Sequence, residues 1–419
     1  MSPKKTIIGP FEQIISLSKL AETGPLKDES LRPLKKGGIV ISNGKIEQVG
    51  KFDKLLEEIR DTEKDYQLTF LEEPMVLLPG FVDCHTHICS GGSRASDYAM
   101  RIAGKSYLEI AEKGGGILDT VRNTRAADIE DLVEGILARS AGFLAQGVTT
   151  CEIKSGYGLN EEHELKMLYA IDDAAKRSPM TFIPTCLAAH TKPKEFHDNL
   201  TYLDYILEKI LPRVKQEQLS NRVDIFIEKT AFQAEESRSF LEQAKAMGFD
   251  ICIHGDQFSP GGAELGAQLG AVSVDHLEST NEAGIAALQK AGTTAVVLPG
   301  ASLGLGMNFA PARKLLDGGL SVAISTDWNP GSAPMGDLLV QASLLSAYEK
   351  LTTAEVFAGI TFRAAQALGL KDRGRVDKGM KADMVAFPTD DYREILYQQG
   401  MLRPEKVWID GQLSFGGLE

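Results

Sequence analysis

Eight short apolar runs, each followed by a longer stretch of helical periodicity, constrain this chain more than any other feature of its sequence. They are FVDCH (81–85), VTTCEIK (148–154), TFIPTCLA (181–188), VDIFIE (223–228), DICIH (250–254), VSVDH (272–276), TAVVL (294–298) and SVAIST (321–326). Short apolar runs alternating with helical stretches argue for parallel βαβ units. The intervening helices have readable ends. Asp128 can cap a segment with Ile129, Leu132, Val133, Ile136 and Leu137 on one face, and Gly147 follows it; Thr280 and Gly292 bracket another. Eight units over about 300 residues predict an α/β fold, a (β/α)8 barrel whose chemistry sits at the C-terminal ends of its strands. A doubly wound open sheet is the alternative, because periodicity does not report closure.

The two ends of the chain read differently. In GGIVISNGKIEQVG (37–50), Asn43-Gly44 stands between two β-rich runs and suits a type I′ hairpin turn. GRVDKGMKADMVAFP (374–388) and EKVWIDGQ (405–412) return to the same style, so both ends are expected to build one accessory sheet.

Among 419 residues, 45 Lys and Arg stand against 58 Asp and Glu, a formal charge of −13. That balance argues against nucleic acid or an anionic membrane as partner, and a small anionic substrate would need a local cation. The five cysteines, Cys84, Cys89, Cys151, Cys186 and Cys252, are scattered with no CxxC pair, so neither a disulfide framework nor a thiolate metal site is indicated. With no leader pattern and no apolar run of about 20 residues, the expectation is a cytoplasmic protein without a membrane span.

The seven histidines carry most of the functional signal. His85 and His87 close the first run two residues apart, and the period-two alternation of a strand points both side chains to one side. Alone, such a pair is more often two hydrogen-bonded core histidines. However, His254 ends the fifth run, His276 ends the sixth, and Asp327 follows the eighth. Five potential ligands therefore converge where a barrel carries its chemistry. Imidazole nitrogens with one carboxylate suit Zn²⁺ or Fe²⁺ with a position left open for water.

On these residues the chain resembles the amidohydrolase superfamily, through LPGFVDCHTH (78–87), IH (253–254), DH (275–276) and STDWNPG (325–331). GGSRAS (91–96), EIKSGYGL (152–159), LAAHT (187–191) and HGDQF (254–258) resemble its branch that hydrolyses 4-imidazolone-5-propanoate to N-formimidoyl-L-glutamate in histidine degradation. The resemblance covers nearly the whole chain. It implies a TIM-type barrel over residues 78–375 with a small β-sandwich domain from residues 1–77 and 376–419. It implies one divalent metal per chain, Zn or Fe, on His85, His87, His254 and Asp327. It makes Arg94, Tyr157, His190, Gln257, Asn329, Gly331 and Ser332 the substrate contacts, and it suggests a homodimer. His276 and Asp327 are the candidates to activate water and pass a proton to the ring nitrogen.

Two positions depart from the usual pattern: Ser332 stands where Thr is usual and Asp256 where Glu is usual. Deaminases of the superfamily place a Glu three residues after the fifth-strand histidine; here Gln257 cannot shuttle a proton, which favours a cyclic amide over an exocyclic amine. Another mononuclear amidohydrolase, acting on a cyclic imide or a nucleobase, is the alternative. Read without the resemblance, Arg94 could be a plain exposed cation, Tyr157 a packed ring, and His190 a core histidine. His163 and His197, in helical stretches, read as solvated or structural. Lys154 ends the second run and Glu228-Lys229 the fourth, so a second metal bridged by a modified lysine is conceivable. The glycine-rich GGGILDT (114–120) and GASLGLG (300–306) lack a phosphate-loop pattern and are expected to form loops over the barrel mouth.

Overall fold

A computed structural model describes residues 5–62, 65–105, 109–110 and 113–417; positions 1–4 and 418–419 of the expected accessory domain lie outside them. Five strands open the chain: β1 (Lys5–Ile14), β2 (Leu34–Ser42), β3 (Lys45–Lys51), β4 (Tyr66–Phe70) and β5 (Val76–Pro79). Eight parallel strands follow: β6 (Phe81–Asp83), β7 (Val148–Lys154), β8 (Thr181–Ala189), β9 (Arg222–Ile227), β10 (Asp250–Gly255), β11 (Ser273–His276), β12 (Thr294–Val297) and β13 (Val322–Ile324). Three more, β14 (Met384–Phe387), β15 (Lys406–Ile409) and β16 (Gln412–Phe415), end it.

The first five and last three strands join in one mixed sheet, ordered β16-β15-β14-β5-β1-β2-β3, with β4 alongside β1. β2 and β3 are the expected hairpin: Ser42 pairs with Lys45, and Asn43 and Gly44 take the left-handed conformations that the turn demands. The sheet wraps a core of its own, in which Phe11 from β1 meets Trp408 from β15 edge to face at 6.2 Å. β5 leads directly into β6, so this sheet is anchored at the start of the barrel.

Every apolar run becomes a barrel strand, in the spatial order of the sequence. The sheet closes at the tips of its first and last strands. Thr86 bridges to Trp328, Asp327 N–H donates to His85 O (3.1 Å), and His87 N–H donates to Trp328 O (2.9 Å). Below them the fully buried Asp83 carboxylate accepts from the Thr326 hydroxyl (2.7 Å) and from the Ser325 hydroxyl. These cross-seam bonds exclude the open-sheet alternative. Helices cover the outside, and most of their apolar faces pack with the strands in one large core, beside a smaller cluster in which Val82, Val296 and Ala323 meet Ala364 and Ala365.

Local detail departs from the sequence reading in several places. GASLGLG (300–306), expected as a loop, forms the helix Pro299–Leu305 ended by Gly306, and GGGILDT (114–120) is a loop only up to Gly116, where the helix Ile117–Ala126 begins. Asp128 stands at the start of the helix Ile129–Ala145, but its side chain makes no capping hydrogen bond. β6 ends at Asp83, so His85 and His87 lie beyond the ladder, on the segment that crosses to Trp328. The helix Glu282–Ala291 is capped by Asn281, whose carbonyl accepts from Gly284 N–H (2.9 Å), rather than by Thr280; Gly292 ends it in the left-handed conformation. Among the described residues no helix is long and apolar enough to cross a membrane, and the five cysteines are buried and unpaired.

Candidate active site

A cavity of about 880 Å³ opens at the C-terminal ends of the barrel strands. His87, His254, His276 and Asp327 line it, with His85 fully buried behind them. The strand ends that carry these groups bend away from regular geometry: His276 (φ 84°), Leu277 (φ 70°) and Asp327 (φ 51°) are left-handed without being glycine. Such backbone persists only where the surroundings impose it, and here it turns side chains from different strands towards one point.

Three imidazoles converge there. Nε2 of His87 lies 3.3 Å from Nε2 of His85 and 3.3 Å from Nε2 of His254. Asp327 Oδ1 stands 3.5 Å from His85 Nε2 and 3.4 Å from His87 Nε2. On the far side of the rings, His85 Nδ1–H donates to Asp275 Oδ2 (2.6 Å). His254 Nδ1 lies 2.9 Å from Asp224 Oδ2, close but off the hydrogen-bond line. With protons held at Nδ1 of those two rings, their Nε2 lone pairs face inward. Burial holds His85, His87 and His254 below the ordinary imidazole range, so all three are neutral.

Converging lone pairs and a carboxylate repel one another unless a cation lies between them. The ligand nitrogens of His85, His87 and His254 all lie within 4.8 Å of one another, and Asp327 approaches two of them, the spacing that three imidazoles and a neighbouring carboxylate need to share one ion. The donor set therefore fits a divalent ion of the borderline kind.

His276 sits beside this cluster, its ring 5.4 Å from that of His254. Its Nδ1 lies 3.5 Å from Oε2 of Glu278, close but not hydrogen-bonded, while Glu278 Oε1 accepts from the Ser302 hydroxyl (3.1 Å). Burial opposes charge on His276, but Glu278, Asp327 and Asp275 outweigh it and raise its pKa. Burial raises the Asp327 carboxyl to about 7.

Every residue that the resemblance assigns to substrate lines the same cavity: Arg94, Tyr157, His190, Gln257, Asn329, Gly331 and Ser332. His190 stacks on His87 at 5.3 Å and donates Nδ1–H to Gly156 O (3.1 Å); burial pushes its pKa down to about 3, leaving a neutral ring. Arg94 is fixed by Nε to Asp97 Oδ2 at 2.7 Å. The Asn329 amide is engaged inside its own loop. It accepts from Gly331 N–H and Ser332 N–H, both at 2.8 Å, and donates to Asp327 O (2.7 Å) and the Ser332 hydroxyl (3.0 Å), so its first effect is to shape the loop after β13.

Sequence reasoning named Asp275 only within the DH motif, with no role, and did not single out Asp97, Arg101, Asp224 or Glu278. Arg101 donates to Gly304 O (2.8 Å) and Gly331 O (3.3 Å), tying the segment after β6 to the loops after β12 and β13. The available signal was a lone acid inside an apolar run, as in VDIFIE and VSVDH. Such an acid cannot stay buried without a partner.

A closed barrel with a histidine and carboxylate cluster at its C-terminal mouth defines the class: a hydrolase of the amidohydrolase type. The model of the amidohydrolase family matches residues 76–413. An imidazolonepropionase of Fusobacterium nucleatum is 41% identical, covering 90% of this chain and 91% of that protein. One of Symbiobacterium thermophilum is 40% identical, covering 99% and 98%. In fold, an adenosine deaminase from Xanthomonas campestris, solved with bound zinc, superposes with a TM-score of 0.72 at 17% identity, covering 99% of this chain and 94% of that one. The chain belongs to the imidazolonepropionase branch of the amidohydrolase family.

Proposed function

We propose that this protein hydrolyses 4-imidazolone-5-propanoate to N-formimidoyl-L-glutamate, with one divalent ion, Zn or Fe, held by His85, His87, His254 and Asp327. The observation that carries this reading is a single cavity with a neutral histidine cluster at its base and a fixed guanidinium, Arg94, in its wall. The first fits hydrolysis of a ring amide and the second fits a propanoate carboxylate.

The ion, when bound, supplies Lewis acidity, bringing the pKa of water towards neutrality and polarising the ring carbonyl. The rest falls to the chain. Arg94 offers its fork to the propanoate and so fixes which face of the ring meets Asp327 and His276. Tyr157 and His190 wall the ring, while Gln257 and Ser332 offer neutral hydrogen-bonding groups. His276, whose Nδ1 faces the Glu278 carboxylate at 3.5 Å, has Nε2 for the cavity and can deliver a proton to the ring nitrogen as its bond to the carbonyl carbon breaks. Asp327 can accept the proton released by the attacking water. Water's hydroxyl ends on the carbonyl carbon and its proton on the departing nitrogen, so one C–N bond is exchanged for a carboxylate and an N–H.

Residues 78–375 are taken as the catalytic unit, with residues 1–77 and 376–419 as the accessory domain. A homodimer in the cytoplasm, with no nucleic-acid or membrane partner, completes the reading. The test is to mix purified protein with freshly made imidazolone propanoate, follow loss of the ring chromophore and identify the product. Formation of N-formimidoyl-glutamate is expected. Failure on this substrate together with turnover of a cyclic imide or a nucleobase would replace it with the alternative.

A further inference from the structure

Lys154 ends β7 beneath the histidines, and nothing in the mechanism above uses it. Its side chain is fully buried. Nζ donates to Asp224 Oδ2 (2.8 Å) and lies 2.7 Å from Glu152 Oε2 and 3.7 Å from Asp275 Oδ2. Asp224 and Asp275 are the two carboxylates behind His254 and His85. One ammonium therefore stands between the groups that orient two imidazoles from opposite sides of the site.

We propose that Lys154 is a positioning residue for the metal centre, holding Asp224 and Asp275 where they fix His254 and His85 with their Nε2 lone pairs inward. Both carboxylates are buried and need a donor between them to hold their oxygens in place, and Nζ of Lys154 lies within 3.7 Å of each. Deprived of that contact, either carboxylate is free to turn away, and its histidine would lose the partner that orients it. The charge on Lys154 is secure: burial opposes it, but Asp224, Glu152 and Asp275 together push its pKa well up. The same enclosure argues against Lys154 as a carboxylated lysine bridging two metals, since Nζ is buried against three carboxylates with no room shown for a carbamate. In this barrel the fixed cation below the histidines is the protein's own.

The inference rests on the single-metal reading above, and its test separates the two. Metal-free wild type, Lys154→Met and Lys154→Arg are titrated with zinc against a chromophoric chelator, and the Co²⁺ forms are compared by visible absorption. Wild type is expected to bind tightly. Lys154→Met should bind about 10- to 100-fold more weakly, with an altered Co²⁺ spectrum and activity that climbs with added metal; Lys154→Arg, which keeps the charge, should recover part of the loss. Weak binding by wild type itself would sink the metal reading, whereas equal affinity and identical spectra for wild type and Lys154→Met would overturn the role of Lys154. Should Lys154→Met not fold, wild type labelled with ¹⁵N-lysine decides. One solvent-protected ammonium resonance should move as zinc is added, and a spectrum in which no lysine ammonium responds would contradict the proposal.

Discussion

A methyl group built on Gly331 would stand 2.6 Å from Nη1 of Arg94. The guanidinium is thus seated between the backbone of the loop after β13 and the Asp97 carboxylate, and the absence of a side chain at Gly331 is what lets it lie there.

Gly331→Ala should therefore act like a milder Arg94→Met, by displacing the fork instead of deleting it. In a chain of net charge −13, recognition of an anion rests on such a local, charge-assisted contact. Losing it should cost about 1.5–3 kcal/mol, roughly ten- to 150-fold in kcat/KM, for imidazolone propanoate with Arg94→Met. With an imidazolone bearing an uncharged side chain, variant and parent should be nearly equal. Steady-state kinetics on both substrates at matched metal content checks this. Equal losses on the two would mean that Arg94 supports the loop and does not read the carboxylate.

His276→Ala should keep its metal and lose most of its rate. The imidazole faces the cavity and lies against Glu278, outside the convergent Nε2 cluster, and acid–base groups of this kind contribute about 10²–10⁴-fold. Metal content and turnover measured on the same preparation decide the matter. A variant that purifies without metal under conditions that load wild type would make His276 a ligand.

Much of this was legible in the sequence because strand periodicity and histidine position are local properties. The run VTTCEIK coincides with β7, and His85, His87, His254 and His276 come together because each follows or ends a strand of one closed sheet. What stayed hidden depends on pairing between strands. Asp224 looks like an isolated acid in an apolar run, Asp275 was legible only as a motif letter and Lys154 only as a conceivable metal bridge, and the barrel's register is what brings the three within reach of one another. Closure through Thr86 and Trp328 lies outside any run, since β6 stops at Asp83 before the histidines begin. The choice of Asn281 over Thr280 as a cap, and the engagement of Asn329 within its own loop, are decided by backbone geometry that composition does not encode.

Asp83 should make the stability of the metal-free protein pH-dependent. Burial raises its carboxyl from 3.8 to about 6, against the hydrogen bonds from Ser325 and Thr326. Between those two values the folded chain binds a proton that the unfolded chain has released, so stability falls as pH rises through the window, by about 3 kcal/mol in all. Asp83→Asn keeps the shape and cannot ionise. Chemical denaturation at pH 4 and pH 7 should show wild type losing more stability over that interval than the variant. Parallel behaviour of the two proteins would mean that Asp83 titrates alike in the folded and unfolded chains.

In the proposed reaction, ring hydrolysis depends on one ion in the cluster of His85, His87, His254 and Asp327. The direct measurement is to strip the protein of metal and add zinc or ferrous iron in fractions of an equivalent, recording the rate of imidazolone propanoate loss at each step. The rate should start near zero, rise in proportion to added ion and break at about one equivalent per chain. Turnover by the stripped protein, or a rate that keeps climbing to a break at two equivalents, would contradict the account.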